Sequence, residues 1–205
     1  MSMKLTIRSQ QGFGLVEILV SMLIIAVGLL GTIALQMRAM QTELESYQRI
    51  QAMILLDDMV DRLKANPGWP NLVIAENCYN LDGAYDFSPA VAGTGSVLPA
   101  NQAALNACMP DDPRAAIAAN DLLAWDANLR GANVVDASNT SVGAMIGARG
   151  CIELLGDRMY RVSVAWQGMH PTVAPMAALT CGAGLYGDEE QRRVVSRVVS
   201  FAVLN

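Results

Sequence analysis

The sequence predicts an α+β chain in which one long N-terminal helix leads into a small antiparallel sheet. Three observations predict it. Phe13 to Leu35 is an apolar run interrupted by one charged residue, Glu17. Apolar residues then recur at three- and four-residue spacing through Met37, Met40, Leu44, Tyr47, Ile50 and Ile54, and Pro67-Gly68 supplies a stop. In the last third the period changes to two. Cys151–Leu155 and Met159–Trp166 flank Gly156-Asp157, a hairpin signal, and valines crowd residues 192–203.

At about 1.5 Å per residue, the Phe13–Leu35 run is long enough to cross the ~30 Å hydrocarbon core of a bilayer. Phe13 to Asn66 reads as one helix, its first half bare and its second half laying the stripe from Met37 to Ile54 on a globular domain. Arg38, Glu43, Glu45, Arg49 and Gln51 decorate the other side, and Asp57, Asp58, Asp61, Arg62 and Lys64 add charge near the end. Lys4 and Arg8 precede the run, which leaves the N-terminus cytoplasmic and sends the remainder outward. A secretory signal fits poorly. The apolar core is too long, and Ile33-Ala34-Leu35-Gln36-Met37 holds no Ala-x-Ala site. A plain anchor leaves Glu17 unexplained, because an unpaired carboxylate in hydrocarbon costs roughly 2.5–3.5 kcal/mol or more. Gly28 and Gly31 permit close helix approach or local unwinding, or are ordinary glycines of a membrane helix.

Residues 67–110 read as loop, with turn formers through Ser88–Pro99. A second helix is expected from Asp112 to Arg130, with Asp112 as cap, Pro113 at the first helical position and Gly131 past the end; a shorter helix capped by Asp121 is the alternative. Ala118, Leu122, Trp125 and Leu129 share one face of it, and Trp125 reads as core. Tyr160, Val162, Val164 and Trp166 alternate onto one face of the second strand. The third strand, about Arg192 to Val203, carries valines on both faces, so its buried side is open. Gln167 to Glu190 forms a long loop that holds Cys181.

Composition narrows the function. Net charge is −5, and without Lys4 and Arg8 it becomes −7, which disfavours a general nucleic-acid surface. The four cysteines, Cys78, Cys108, Cys151 and Cys181, all follow the apolar run. An even count in the part that would be exported suggests two disulfides. Three connectivities are possible; nearest neighbours, Cys78–Cys108 and Cys151–Cys181, are favoured, and buried free thiols are the alternative. No CxxC pair is present, and the single histidine, His170, lies in a loop without a companion ligand. Asp111-Asp112 and Glu189-Glu190 are sequence neighbours and do not converge as a catalytic pair. No metal, no cofactor and no catalysis are expected.

Gly12-Phe13-Gly14-Leu15-Val16-Glu17 resembles the leader junction of type IV pilins and pseudopilins. A short basic leader, Gly at the cut, Phe as new N-terminus and Glu as fifth mature residue coincide there, followed by an apolar helix. Gly14 stands where Thr or Ser is more usual. The resemblance implies cleavage between Gly12 and Phe13 by a prepilin peptidase, N-methylation of Phe13, and a role for Glu17 in setting the assembly register by pairing with a neighbour's new amine. It implies the pilin fold, with a leader over residues 1–12, a helix over 13–66 that is transmembrane over 13–35, and a periplasmic globular domain over 67–205. Gly28-Leu-Leu-Gly31, Asp121-Leu-Leu-Ala-Trp125, Tyr160–Trp166, Cys181-Gly and Arg192-Arg193-Val-Val are similar to the PilV-type minor pilins. That likeness implies a subunit that starts in the inner membrane and passes to a pilus at the cell surface. There it would help initiate assembly in a complex with other minor pilins and the major pilin, supporting adhesion or twitching. Its partners would also include the inner-membrane assembly machinery. A pseudopilin of a type II secretion system is the main alternative. A periplasmic binding domain on an uncleaved anchor and a DNA-uptake pilin are the others.

Overall fold

Helix α1 runs from Leu15 to Ala65 without a break. Glu17 sits in its first turn and Arg62 and Lys64 in its last, each placed favourably against the helix dipole. The computed structural model describes residues 14–66, 92, 113–132, 134–139, 145–156 and 159–201. The chain divides into two units, Met1–Leu44 and Glu45–Asn205.

Within the second unit, α1 is followed by helix α2 (Pro113–Leu129), strands β1 (Arg149–Gly156) and β2 (Met159–Gln167), a 3-10 turn (Glu189–Gln191), and strand β3 (Arg192–Ser200). The α+β architecture and the three antiparallel strands agree with the sequence expectation. Proline occupies the first position of α2, where its missing N–H costs nothing. At the other end Gly131 adopts φ 65°. Its N–H donates to Asn128 O at 3.0 Å, and Ala132 N–H donates to Ala127 O at 2.9 Å. These two bonds form the glycine-ended helix stop in which the left-handed residue is cheapest without a Cβ.

The sheet order is β1-β2-β3, all antiparallel. The register pairs Ile152 with Val162, and Val164 with Val195, on one face. That face buries Ile152, Tyr160, Val162, Val164, Trp166 and Val199 in one core with α1 and α2. Ala118, Leu122, Trp125 and Leu129 are all buried there, as the spacing in α2 predicts. The question left open for β3 is resolved by its register. Val195 and Val199 pack toward the helices, Val194 packs on the opposite face, and Val198 stays exposed. Phe201, just past β3, meets Tyr160 edge to face at 5.9 Å.

One expectation is overturned. The face of α1 that enters the core carries Ala52, Leu55, Leu56, Met59, Val60 and Leu63, whereas Met37, Met40, Leu44, Tyr47, Ile50 and Ile54 are exposed. The reason lies further along the helix. Continued by three or four residues, the Tyr47–Ile50–Ile54 stripe arrives at Asp57, Asp58 and Asp61. The Ala52 face stays free of charge to Leu63, so only that face can be buried over the full contact without stranding carboxylates.

Charges then clamp α1 around this core. Arg193 Nε lies 2.8 Å from Glu45 Oε1, and Arg197 pairs with Asp57, so two arginines of β3 hold two acids of the helix. Arg62 bridges Asp58 and Asp121, at 3.1 and 2.9 Å, and joins α1 to α2. Such partly exposed pairs are each worth about 0–1 kcal/mol. A fully buried Leu122 or Met59 is worth about 1.5–3 kcal/mol. The apolar core therefore sets the stability, and the ion pairs help hold α1 in its rotation.

Gly150 is the tightest point of the sheet. A Cβ there would fall 2.4 Å from the Trp125 ring and 2.7 Å from Leu129. Gly150→Ala should destabilise the protein by about 1–3 kcal/mol as the core is forced apart. Gly156→Ala, whose added Cβ would meet Met159 at an ordinary 3.8 Å, is the control. Urea midpoints of the two variants test this, and equal midpoints would contradict the packing described.

Candidate functional site

The first candidate site is the N-terminal part of α1. Residues 15–36 are all exposed, and α1 is the one helix among the described residues that is long and apolar enough to cross a membrane. Its few polar groups are turned inward on the helix itself. Ser21 Oγ donates to Glu17 O, and Thr32 Oγ1 donates to Leu29 O at 2.8 Å. Hydroxyls bonded to their own backbone expose no unmet polar atom to hydrocarbon. No side chain lies within 4 Å of where a Cβ would stand on Gly28 or Gly31, so both glycines open onto free surface.

Glu17 is the exception to this economy. It is exposed in the first turn, where its N–H donates to Gly14 O at 2.9 Å and the helix dipole favours negative charge. Gly12 and Phe13, the residues of the expected cut, lie outside the described residues. So do Cys78 and Cys108.

The second candidate site is the loop between β2 and β3, on the face of the sheet away from the helices. Cys181 is bonded to Cys151 of β1, closing a separation of 30 residues. Around it Ala165, Cys181 and Tyr186 form a small second core. Arg192 is buried and reaches back into the loop. Its Nη1 donates to Leu179 O at 2.6 Å and to Cys181 O at 3.0 Å, while its Nε meets Glu189 at 2.6 Å. Glu189 also accepts from Gly184 N–H at 2.8 Å. That backbone bond, followed by the Arg192 contact, holds its carboxyl below the usual range. Arg161 Nη1 donates to both Glu153 and Ala178 O, and Thr180 Oγ1 donates to Glu153 Oε1. His170 is exposed; its carbonyl oxygen accepts from Arg193 Nη2 at 2.6 Å. Among the described residues no cluster of His, Cys, Asp or Glu is suited to a metal ion.

The loop residues that matter most, Arg192 and Tyr186, were not singled out from the sequence as its anchors. Two adjacent arginines opening a valine strand were a usable signal, because alternation sends them to opposite faces: Arg193 toward α1 and Arg192 into the loop. Tyr186 carries no comparable signal.

Comparison with known proteins follows the same division of the chain. Residues 7–33 match the family model of the prokaryotic N-terminal methylation motif, a stretch that includes Gly12, Phe13 and most of the exposed apolar part of α1. Residues 34–78 match that of the type IV pilin Tt1218. Neither a curated protein nor a solved structure matches the chain.

Tyr186 gives this loop a measurable alkaline limit. Its hydroxyl donates to Gly147 O at 2.9 Å, and burial pushes its pKa up to about 12. Below about pH 10 the phenol is protonated in the folded and unfolded chains alike, and its contribution to stability is intact. Above that the unfolded chain ionises first, and stability falls by about 1.4 kcal/mol per pH unit until the folded pKa is reached. Tyr186→Phe should lose about 1 kcal/mol at neutral pH with its hydrogen bond, and decline less steeply between pH 10 and 12. Urea unfolding across that range is the measurement; an equally steep decline in the variant would assign the sensitivity elsewhere. Over residues 7–78 the chain is similar to the type IV pilins, with the N-terminal methylation motif at its head.

Proposed function

We propose that this chain is a minor pilin of a type IV pilus, of the PilV type. The observation that carries the reading is a coincidence in one short stretch. The methylation-motif match spans Gly12, Phe13 and Glu17, and the helix that follows is exposed along residues 15–36. A helix so apolar needs lipid or other helices around it, and a filament supplies the second after the membrane supplies the first.

The leader of residues 1–12 is cut between Gly12 and Phe13 on the cytoplasmic side, and Phe13 is N-methylated. Cutting releases an amine four residues from Glu17. Between subunits the acid of one meets the amine of the next only at a fixed axial offset. In a low-dielectric bundle an unmatched charge costs several kcal/mol, so pairing selects that offset. The second unit, in the periplasm before assembly, then faces outward, and a second disulfide joins Cys78 to Cys108. The chain acts as a structural subunit beside other minor pilins and the major pilin, promoting initiation of the fibre and, through it, adhesion or twitching.

N-terminal analysis of protein from membranes should find a chain starting at N-methyl-Phe13, and one retaining Met1 would refute the reading. Glu17→Ala should be cleaved at close to the parental rate while pilus number in a null strain falls severely. Normal pilus counts with that variant would remove the register role. Protein in sheared surface fibres supports a pilus subunit; loss confined to exoprotein export indicates a secretion pseudopilin instead.

A further inference from the structure

Tyr186 shares a small buried cluster with Ala165 and Cys181, and Cys151 and Val194 pack at its edge. It is the largest of these side chains, and Cys181 is left 3% exposed beside it. The tyrosine ring is held in a slot made by two glycines. A Cβ on Gly182, the residue after Cys181, would fall 2.9 Å from Tyr186 Cε2. A Cβ on Gly147, just before β1, would fall 3.0 Å from Cε1. The hydroxyl closes the slot by donating to Gly147 O at 2.9 Å. One ring therefore ties the chain that leaves Cys181 to the chain that enters the strand of Cys151.

Thiol–disulfide exchange has two routes to the Cys151–Cys181 bond, and both are obstructed. A thiolate attacks one sulfur and expels the other as a thiolate. Attack on Cys181 Sγ requires entry into the buried cluster. Attack on the half-buried Cys151 Sγ expels Cys181, whose Sγ lies 3.8 Å from Ser163 O and is shut off from water. An anion facing a carbonyl oxygen in such a place is strongly disfavoured. Arg192 offers it no hydrogen bond from Nη1, committed to Leu179 O and Cys181 O, or from Nε, committed to Glu189. Either route needs the cluster opened first.

We propose that Tyr186 is a latch on the Cys151–Cys181 bridge: the bond undergoes exchange only when the segment from Gly182 to Gly187 swings Tyr186 out of its slot. The segment can open alone. Gly182 and Gly187 bound it in the left-handed region, at φ 68° and 81°. The contacts that hold the preceding chain, from Arg161 to Ala178 O and from Arg192 to Leu179 O, do not involve it. Glu189 holds it at Gly184 N–H in an exposed bond, one that water replaces at modest cost. With the latch open, a dithiol reductant supplies both electrons. One of its thiolates bonds to Cys151 Sγ and displaces Cys181 as a thiolate, which takes up a proton. Its second thiol, losing a proton, closes onto the first and releases Cys151, which is protonated in turn. Two cysteine thiols and a cyclic disulfide remain. The inference stands apart from the pilin reading, since it concerns a bond inside one folded unit.

The test incubates the full chain, in detergent micelles without denaturant, with excess dithiothreitol. Samples are quenched with N-ethylmaleimide, and labelling of the Cys151 and Cys181 peptides is followed by mass spectrometry. Tyr186→Phe keeps the ring and loses its hydrogen bond, and should speed reduction about fivefold. Tyr186→Ala removes the ring and should speed it about tenfold or more. Gly150→Ala loosens the core on the other face of the sheet and should leave the rate within about twofold of the parent, because opening of the latch is local. Acceleration by Gly150→Ala equal to that of the tyrosine variants would route exchange through unfolding of the whole unit and overturn the proposal. Parental rates in both tyrosine variants would overturn it as well. If Tyr186→Ala does not fold, Tyr186→Phe set against Gly150→Ala makes the same comparison.

Discussion

Trp125 is where the folded unit is tied together. Its ring lies under Gly150 of β1, at a distance that leaves no room for a Cβ, and its Nε1–H donates to Leu55 O of α1 at 2.9 Å. One side chain of α2 therefore fixes the spacing of the helix to the sheet and the rotation of α1 about its axis. The carbonyl it takes is already committed to the helix ladder, so the bond is a second acceptance at Leu55 and disturbs nothing. If α1 rotated by one residue, the indole N–H would be buried without a partner, at a cost of about 1–3 kcal/mol. That constraint acts together with the placement of Asp57, Asp58 and Asp61 to bury the Ala52–Leu63 face and leave Tyr47, Ile50 and Ile54 outside.

Periodicity alone could not make that choice. The helix from Met37 onward carries two apolar stripes, and both satisfy a three- and four-residue spacing. The stripe that looked longer, because it continued the membrane-like run, was the wrong one. Charge placement decides between them, since Asp57, Asp58 and Asp61 lie on its continuation. Elsewhere the sequence was legible where a rule is local. Pro113 and Gly131 bound α2 to within a residue, and the period-two segments became β1, β2 and β3. The Cys151–Cys181 pairing joins the nearest cysteines in sequence. What was not legible depends on register between strands. The split of the β3 valines follows from Val164 facing Val195, a pairing that no single strand encodes.

The same distinction applies to the charged residues. Read along the chain, Glu45 and Asp57 looked like decoration of a solvated helix face. In the folded unit they are three helical turns apart and meet Arg193 and Arg197, four residues apart on a strand. A helix rises about 1.5 Å and a strand about 3.3 Å per residue, so twelve helical residues span ~18 Å and four strand residues ~13 Å. The ~5 Å difference is within the reach of two arginine side chains, so one helix crosses one strand with both ends pinned. Exposed pairs contribute little energy, yet they penalise any other crossing, because a shifted helix would place Asp57 beside Val195 or Val199 and leave an arginine facing apolar surface.

On the proposed filament reading, α1 passes from membrane to protein interior and has to present surfaces acceptable in both settings. In lipid, Ser21 and Thr32 bonded to their own backbone and Gly28 and Gly31 without side chains leave residues 15–36 smooth and uncharged apart from Glu17. The same features suit tight packing against another helix, since small residues allow the backbones to approach closely. A carboxylate such as Glu17 is costly in the first setting and, on that reading, useful in the second. Its charge is tolerated near the membrane edge and becomes favourable when a cation is fixed beside it. On the proposed reading as a filament subunit, a carboxylate in that place biases the subunit toward leaving the bilayer, whereas an apolar residue would make the two environments nearly equivalent. In that reading the acid acts less as a weld than as a difference between states, and only such a difference can drive a transfer in one direction.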